Sequence, residues 1–212
     1  MKYRVNEIFL SLQGEGYWTG TSMVFLRLSG CNLSCPFCDT SHASFTEMTV
    51  PEIASAVKAA SSGCDTVCIT GGEPLLQLEE NLLDALHDAG FDINVETNGT
   101  CEAPLGIDWI TCSPKRGIPG VAGDTALKIQ HMDEIKLVFT GLGESEAARQ
   151  LEEARIESFR KIDVDDYCRF LQPCDTGDPA RSAAILAATI DYIKSHPWWR
   201  LSLQTHKLLG IR

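Results

Sequence analysis

The sequence predicts an α/β fold of successive β/α units with about six parallel strands, arranged as a barrel or an open sheet. Three observations carry this expectation. Apolar, β-branched runs alternate with segments of helical spacing, the pattern of parallel strands joined by crossovers. In each unit a polar or Gly-rich motif follows the strand directly, on the rim where barrels and open α/β sheets bind ligands. The 212 residues suit a single domain, 1–212, long enough to bury a core.

Taken in order, VNEIFLSL (5–12) reads as a short strand or extended arm, followed by the turn-forming stretch QGEGYWTG. Glycines 14, 16 and 20 let that backbone bend close to a ligand, and Gln13 and Glu15 offer polar groups. MVFLRLSG reads as a buried strand that delivers the next loop at its C-terminal end. Arg27 is the odd member of that run. A guanidinium there is costly unless it is paired or faces a polar cavity, and both options stay open. VPEIASAVKAAS (50–61) has helical spacing and a proline near its start. TVCITGGEP is a strand ending in a glycine pair, and NLLDALHDAG is a helix closed by Gly90. INVETNGT and WITCSPK repeat the strand-then-polar-loop pattern. EIKLVF is another strand, ahead of the charged helix ESEAARQLEEAR. FLQPCD precedes a long helix within PARSAAILAATIDYIKSHP, and LSLQTH reads as a last strand before the tail KLLGIR.

The loop after the MVFLRLSG strand carries Cys31, Cys35 and Cys38 in the spacing C-x3-C-x2-C. A closed zinc site needs four ligands and would have to borrow a distant one, such as His42. A four-iron cluster held by three cysteines keeps one iron free to bind something else, which suits this spacing better. Cys64, Cys68, Cys101, Cys112 and Cys168 lie in or beside apolar runs and read as small core residues. The net charge of -11 argues against a nucleic-acid surface. No signal core or membrane-length apolar run is present, so a reducing cytoplasm is the expected location.

With Phe37 just before its third cysteine, this loop resembles the cluster loop of the radical S-adenosylmethionine (SAM) family. A narrower resemblance rests on LQGEG-x3-G, Asp39-Thr40 after the cysteines, TGGEP, ETNGT, SPK and QTHK-x2-G. In that order, over nearly the whole chain, they are similar to the 7-carboxy-7-deazaguanine synthase family. The resemblance implies a trimmed, partial (β/α) barrel of the radical SAM type and conversion of 6-carboxy-5,6,7,8-tetrahydropterin to 7-carboxy-7-deazaguanine, with ring contraction and loss of ammonia. It implies a 4Fe-4S cluster on Cys31, Cys35 and Cys38, reusable SAM, and Mg2+ on Thr40. SAM would touch Phe37, Cys38, Asp39 and Gly72, then Ser113, Pro114 and Lys115. Gln172, Pro173, Cys174 and Asp175 would complete that site, with Cys174 standing where the family has Met. Leu12, Gln13 and Gly14 would line the pterin site, Arg27 would pair the substrate carboxylate, and Thr70 would contact the ring. Gln204, His206 and Arg212 would close the pocket, the last through its free carboxylate. No side chain is assigned the chemical step, because the radical derives from the cofactor. A homodimer and a reducing partner such as flavodoxin or ferredoxin are expected, with no nucleic acid and no membrane. The alternatives are an activase that installs a glycyl radical on a protein, and a zinc-binding module without catalysis.

Overall fold

The computed structural model describes residues 2–41, 44–141, 143 and 145–212. His42, the borrowed zinc ligand, and Glu144, at the head of the charged helical segment, lie outside the described residues. In chain order the elements are β1 (Tyr3–Leu12), β2 (Ser22–Leu28), β3 (Thr46–Met48), α1 (Val50–Ala60), β4 (Thr66–Gly71), α2 (Glu80–Asp88) and β5 (Asp92–Thr97). There follow β6 (Trp109–Cys112), β7 (Glu134–Phe139), α3 (Glu146–Ser158), β8 (Arg169–Pro173), α4 (Pro179–Ser195), β9 (Arg200–Leu201) and α5 (Thr205–Leu209). The nine strands form one open sheet in the order β3-β1-β2-β4-β5-β6-β7-β8-β9. From β2 to β9 every pairing is parallel, which gives six full strands and the two-residue β9. At the other edge β1 runs antiparallel to β2, and the short β3, which the sequence pattern did not suggest, pairs with the start of β1.

Local chemistry accounts for the helix starts. Thr49 and Glu52 form a reciprocal capping box on α1, with Pro51 in its first turn. Ser145 caps α3, and Asp178 caps α4 ahead of Pro179. Side chains alternate along each strand. Leu26, Ile69, Val95, Ile110, Leu137 and Leu171 pack outward with Ile53, Leu82, Ile156 and Ile185 of the helices in one core. Their neighbours in sequence, Arg27, Thr70, Glu96, Thr111, Lys136 and Gln172, face a cavity instead. No helix joins β5 to β6 or β6 to β7, so residues 113–133 form a long irregular segment. LSLQTH is only partly a strand. The strand ends at Leu201; Ser202 still donates its N–H to the Leu171 carbonyl at 3.0 Å, and the chain then turns into α5, ended by Gly210 in the left-handed region at φ 65°.

The glycine pair after β4 answers to chain packing first. A Cβ on Gly71 would lie 2.0 Å from the Leu28 carbonyl oxygen, and one on Gly72 would lie 2.2 Å from that of Gly30. The end of β4 therefore sits directly against the start of the cysteine loop. Gly20, also at positive φ (89°), has open space around it. Gly20→Ala is expected to cost about 1 kcal/mol in urea unfolding through backbone strain alone. Gly71→Ala, with φ 144° and a backbone clash, is expected to cost at least about 3 kcal/mol. Equal costs for the two variants would contradict this packing.

Candidate active site

The strand ends and the tail enclose a cavity of about 480 Å³. At one side lies the cysteine loop, with Cys31, Cys35 and Cys38 all on the cavity wall beside Phe37, Asp39 and Thr40. Two contacts fix its outer side. Ser34 and Ala122 exchange backbone hydrogen bonds, each 3.0 Å, so the helix-free segment clasps the loop. On the inner side, Glu73 N–H donates to the Gly30 carbonyl at 2.9 Å. Burial raises the Cys31 and Cys35 thiols above their ordinary values. All nine cysteines are free thiols, and Cys68, Cys112 and Cys168 are buried core residues, as expected.

Glu73 ties two motifs together. Its fully buried carboxylate accepts from Thr97 Oγ1 (2.7 Å), the Asn98 amide (2.7 Å) and the Leu75 amide (3.0 Å). Burial raises its pKa, while these donors pull it back. TGGEP and ETNGT are thus one hydrogen-bonded unit.

The inner wall centres on Lys136, which is 5% exposed. Its Nζ lies 2.5 Å from Glu15 and 3.3 Å from Glu96. Burial alone would raise the Glu15 carboxyl and lower the Lys136 ammonium; the ion pair outweighs burial in both, holding Glu15 low and Lys136 high. Glu96 also accepts from Gln13 (3.3 Å) and Thr70 (3.1 Å), so two expected pterin contacts meet at one carboxylate. Glu134, on the same face of β7, has one weaker attachment: its Oε2 accepts from the Tyr17 amide at 3.0 Å. Its Oε1 is buried without a hydrogen-bond partner among the described residues. Burial pushes the Glu134 carboxyl up to about 7. The signal for Lys136 was available in EIKLVF, where the argument made for Arg27 applies with more force. Its partners were not legible.

Arg27 resolves as paired and cavity-facing at once. Its Nε donates to Glu7 at 2.9 Å, and Arg212 forms an ion pair with the same carboxylate. Two guanidinium groups thus share one carboxylate at the cavity wall. Arg212 is fastened to β1, since its main-chain oxygen accepts from Ser11 Oγ at 2.5 Å and its guanidinium lies over Phe9. Gln204, His206 and Lys207 also line the cavity. Thr205 donates its N–H and hydroxyl to the Gly14 carbonyl, both at 2.9 Å, and Gln204 donates to Glu15 at 2.9 Å. His206 packs so closely on Gly14 that a Cβ there would lie 2.2 Å from its Nδ1.

Leu12, Gly72, Ser113, Lys115, Gln172, Pro173, Cys174 and Asp175 also line the cavity. Pro114 is buried and does not reach the wall. Lys115 Nζ donates to the Ser113 carbonyl and hydroxyl at 2.6 and 2.7 Å. Trp199 belongs to the core, and Trp198 packs against it beneath Arg160.

Residues 26–114, from β2 to just past β6, match the Radical SAM superfamily. The chain is 45% identical to the 7-carboxy-7-deazaguanine synthase of Bacteroides thetaiotaomicron, with all of both chains covered. The chain belongs to the 7-carboxy-7-deazaguanine synthase family. A second member, from Bradyrhizobium diazoefficiens, is 41% identical, again over all of both chains. The crystal structure of QueE from Escherichia coli matches with a TM-score of 0.73 at 27% identity, covering 96% of this chain and 94% of that one. As a radical SAM family member the protein is an enzyme that uses a 4Fe-4S cluster and SAM.

The residues present fit those groups. Three soft thiols stand on one short loop at the cavity wall, without a fourth cysteine beside them. Among the described residues no trio of His, Cys, Asp or Glu is already gathered as around a metal ion.

Glu134 makes this fold sensitive to pH. Its pKa of about 7 in the fold lies above the ordinary 4.5, so the native state keeps a proton that the unfolded chain has lost. That contribution is full below the unfolded value and is lost as pH rises through the folded value. Denaturant titrations at roughly pH 5 and pH 8 should show stability falling with pH by at most about 1.4 kcal/mol per unit from this group. Glu134→Gln should remove that part of the slope. An unchanged slope would assign the proton elsewhere.

Proposed function

We propose that the chain is a single domain that converts 6-carboxy-5,6,7,8-tetrahydropterin to 7-carboxy-7-deazaguanine, with loss of ammonia, in 7-deazapurine biosynthesis. The observation that carries the reading is the double character of one cavity wall. It offers the guanidinium groups of Arg27 and Arg212, which share Glu7, and a carboxylate pair, Glu15 and Glu96, around Lys136. A carboxylated pterin has an acid for the first and a donor-rich pyrimidine edge for the second. The names of the relatives support the same product.

When bound, the cluster and SAM supply a one-electron route to a hydrogen-abstracting radical. The chain's part is binding and orientation. Cys31, Cys35 and Cys38 hold the cluster, while Phe37, Asp39, Gly72, Ser113, Lys115 and the 172–175 stretch flank SAM. Gln13 and Thr70, already oriented through Glu96, set the ring, and Arg27 holds the acid. Gln204, His206 and Arg212 cover the mouth and keep water out. Thr40, on the cavity wall beside the cysteines, offers a neutral oxygen to Mg2+, with substrate oxygens and waters completing the shell. A flavodoxin or ferredoxin as electron source, a homodimer and a cytoplasmic location complete the proposal.

Anaerobic product analysis with the pterin, with and without magnesium, tests it. Wild type should form 7-carboxy-7-deazaguanine, Cys35→Ala should lose both iron and product, and Thr40→Val should keep the cluster but lose its magnesium response. SAM cleavage without this product would overturn the substrate.

Arg27→Lys keeps the charge and loses the fork. It should weaken pterin binding by about 2 kcal/mol, the lower end for a charged pair at an interface, because Glu7 already shares the site. SAM affinity and melting temperature should stay near wild type. A variant that binds pterin normally removes the carboxylate role.

A further inference from the structure

Lys207 lines the cavity with Gln204, His206 and Arg212, and like Arg212 it is held by partners other than Gly14 and Glu15. Its Nζ lies 3.1 Å from Asp39 and 2.8 Å from Asp175. Those carboxylates come from different places: Asp39 follows Cys38 on the cysteine loop, and Asp175 follows the end of β8. Asp175 is itself held, since its Oδ1 accepts from the Gly177 amide at 3.0 Å and from Ser182 Oγ at 3.3 Å. One ammonium therefore joins three segments at the cavity wall. Residues 37–39 and 172–175 are two of the segments placed at SAM above, and the third segment is the tail placed on the pterin side.

We infer that Lys207 is a positioning residue that couples SAM binding to closure of the C-terminal tail over the substrate. The inference rests on the assignment of the two ligand sites made under the proposed function. Its physical basis is linkage. SAM that fixes the loop and the β8 end also fixes the two carboxylates on which Lys207 depends. The tail is then held closed before the pterin arrives, and the pterin meets a site whose ordering has already been done. By reciprocity, the pterin tightens SAM by the same factor. Both ion pairs are partly exposed, and exposed pairs are individually weak. The coupling therefore belongs at the low end of the usual range, about fivefold.

The experiment uses the full-length, cluster-loaded enzyme and oxidised 6-carboxypterin, which keeps the acid and the pyrimidine edge but lacks the reactive C6–H of the substrate. Its dissociation constant is measured with and without SAM. In parallel, hydrogen exchange is followed at the amides of residues 205–211. Wild type should bind the pterin about fivefold more tightly with SAM, and its tail amides should exchange more slowly. Lys207→Met should bind SAM and iron but lose both responses, and Lys207→Arg, which reaches two carboxylates with its fork, should restore them. A Lys207→Met enzyme that keeps the fivefold ratio overturns the inference. So does one that weakens pterin equally with and without SAM, the mark of a merely structural contact. If 6-carboxypterin fails to bind in either state, the substrate assignment falls, and tail exchange alone still decides the latch: slowing by SAM in wild type but not in Lys207→Met supports it, and any other pattern sinks it.

Discussion

The ammonium of Lys136, buried on β7 between two carboxylates, is the interaction on which the inner wall depends. It draws Glu15 from the loop after β1 and Glu96 from β5, and those carboxylates in turn hold Gln204, Gln13 and Thr70. Such a cluster is costly to bury, and it is tolerated only where every charge has partners. Glu134, with one oxygen unpartnered, is the member that meets this demand least, and its proton affinity records the deficit. The opposite face of the same strand explains how the cost is borne. Ile135, Leu137 and Phe139 are fully buried in the main core, so β7 is held in register by apolar packing while its other face carries charge.

The cysteine loop depends on a different constraint, the close approach of backbones. Gly71 and Gly72 let β4 end against Leu28 and Gly30, which brings TGGEP beneath the cysteines. Glu73 then locks ETNGT to the same place. The two missing crossover helices are part of this arrangement. A helix between β6 and β7 would pack on the outer face of the sheet, whereas the irregular 113–133 segment is free to turn back and pair Ala122 with Ser34. Trimming the barrel thus supplies the outer support of its most demanding loop.

An open sheet leaves one side of a cavity unwalled. The tail provides that wall with very little regular structure: hydrogen bonds to Gly14 and Glu15, the double anchor of Lys207, and Arg212 on Glu7. Most of these are polar and partly exposed contacts, individually weak and easily opened. The same physics suits a wall that must admit a ligand and then exclude water.

Much of this was legible in the sequence. Strand periodicity, the proline near the start of α1 and the Gly90 stop of α2 are local, and the elements they mark formed there. The spacing of Cys31, Cys35 and Cys38 likewise announced a three-thiolate loop, because ligands on one short loop need no tertiary information to be neighbours. Periodicity separates Arg27, Thr70, Glu96 and Lys136 from the apolar neighbours in their own strands. It could not say which charges would meet. Lys136 and Glu15 are 121 positions apart, Arg212 and Glu7 are 205 apart, and LSLQTH leaves its strand pairing at Leu201 although β8 runs on to Pro173, with Gln204 and Thr205 turned to Glu15 and Gly14 instead. Such partnerships depend on strand order and on the distances that the closed packing leaves, so only the tertiary structure decided them.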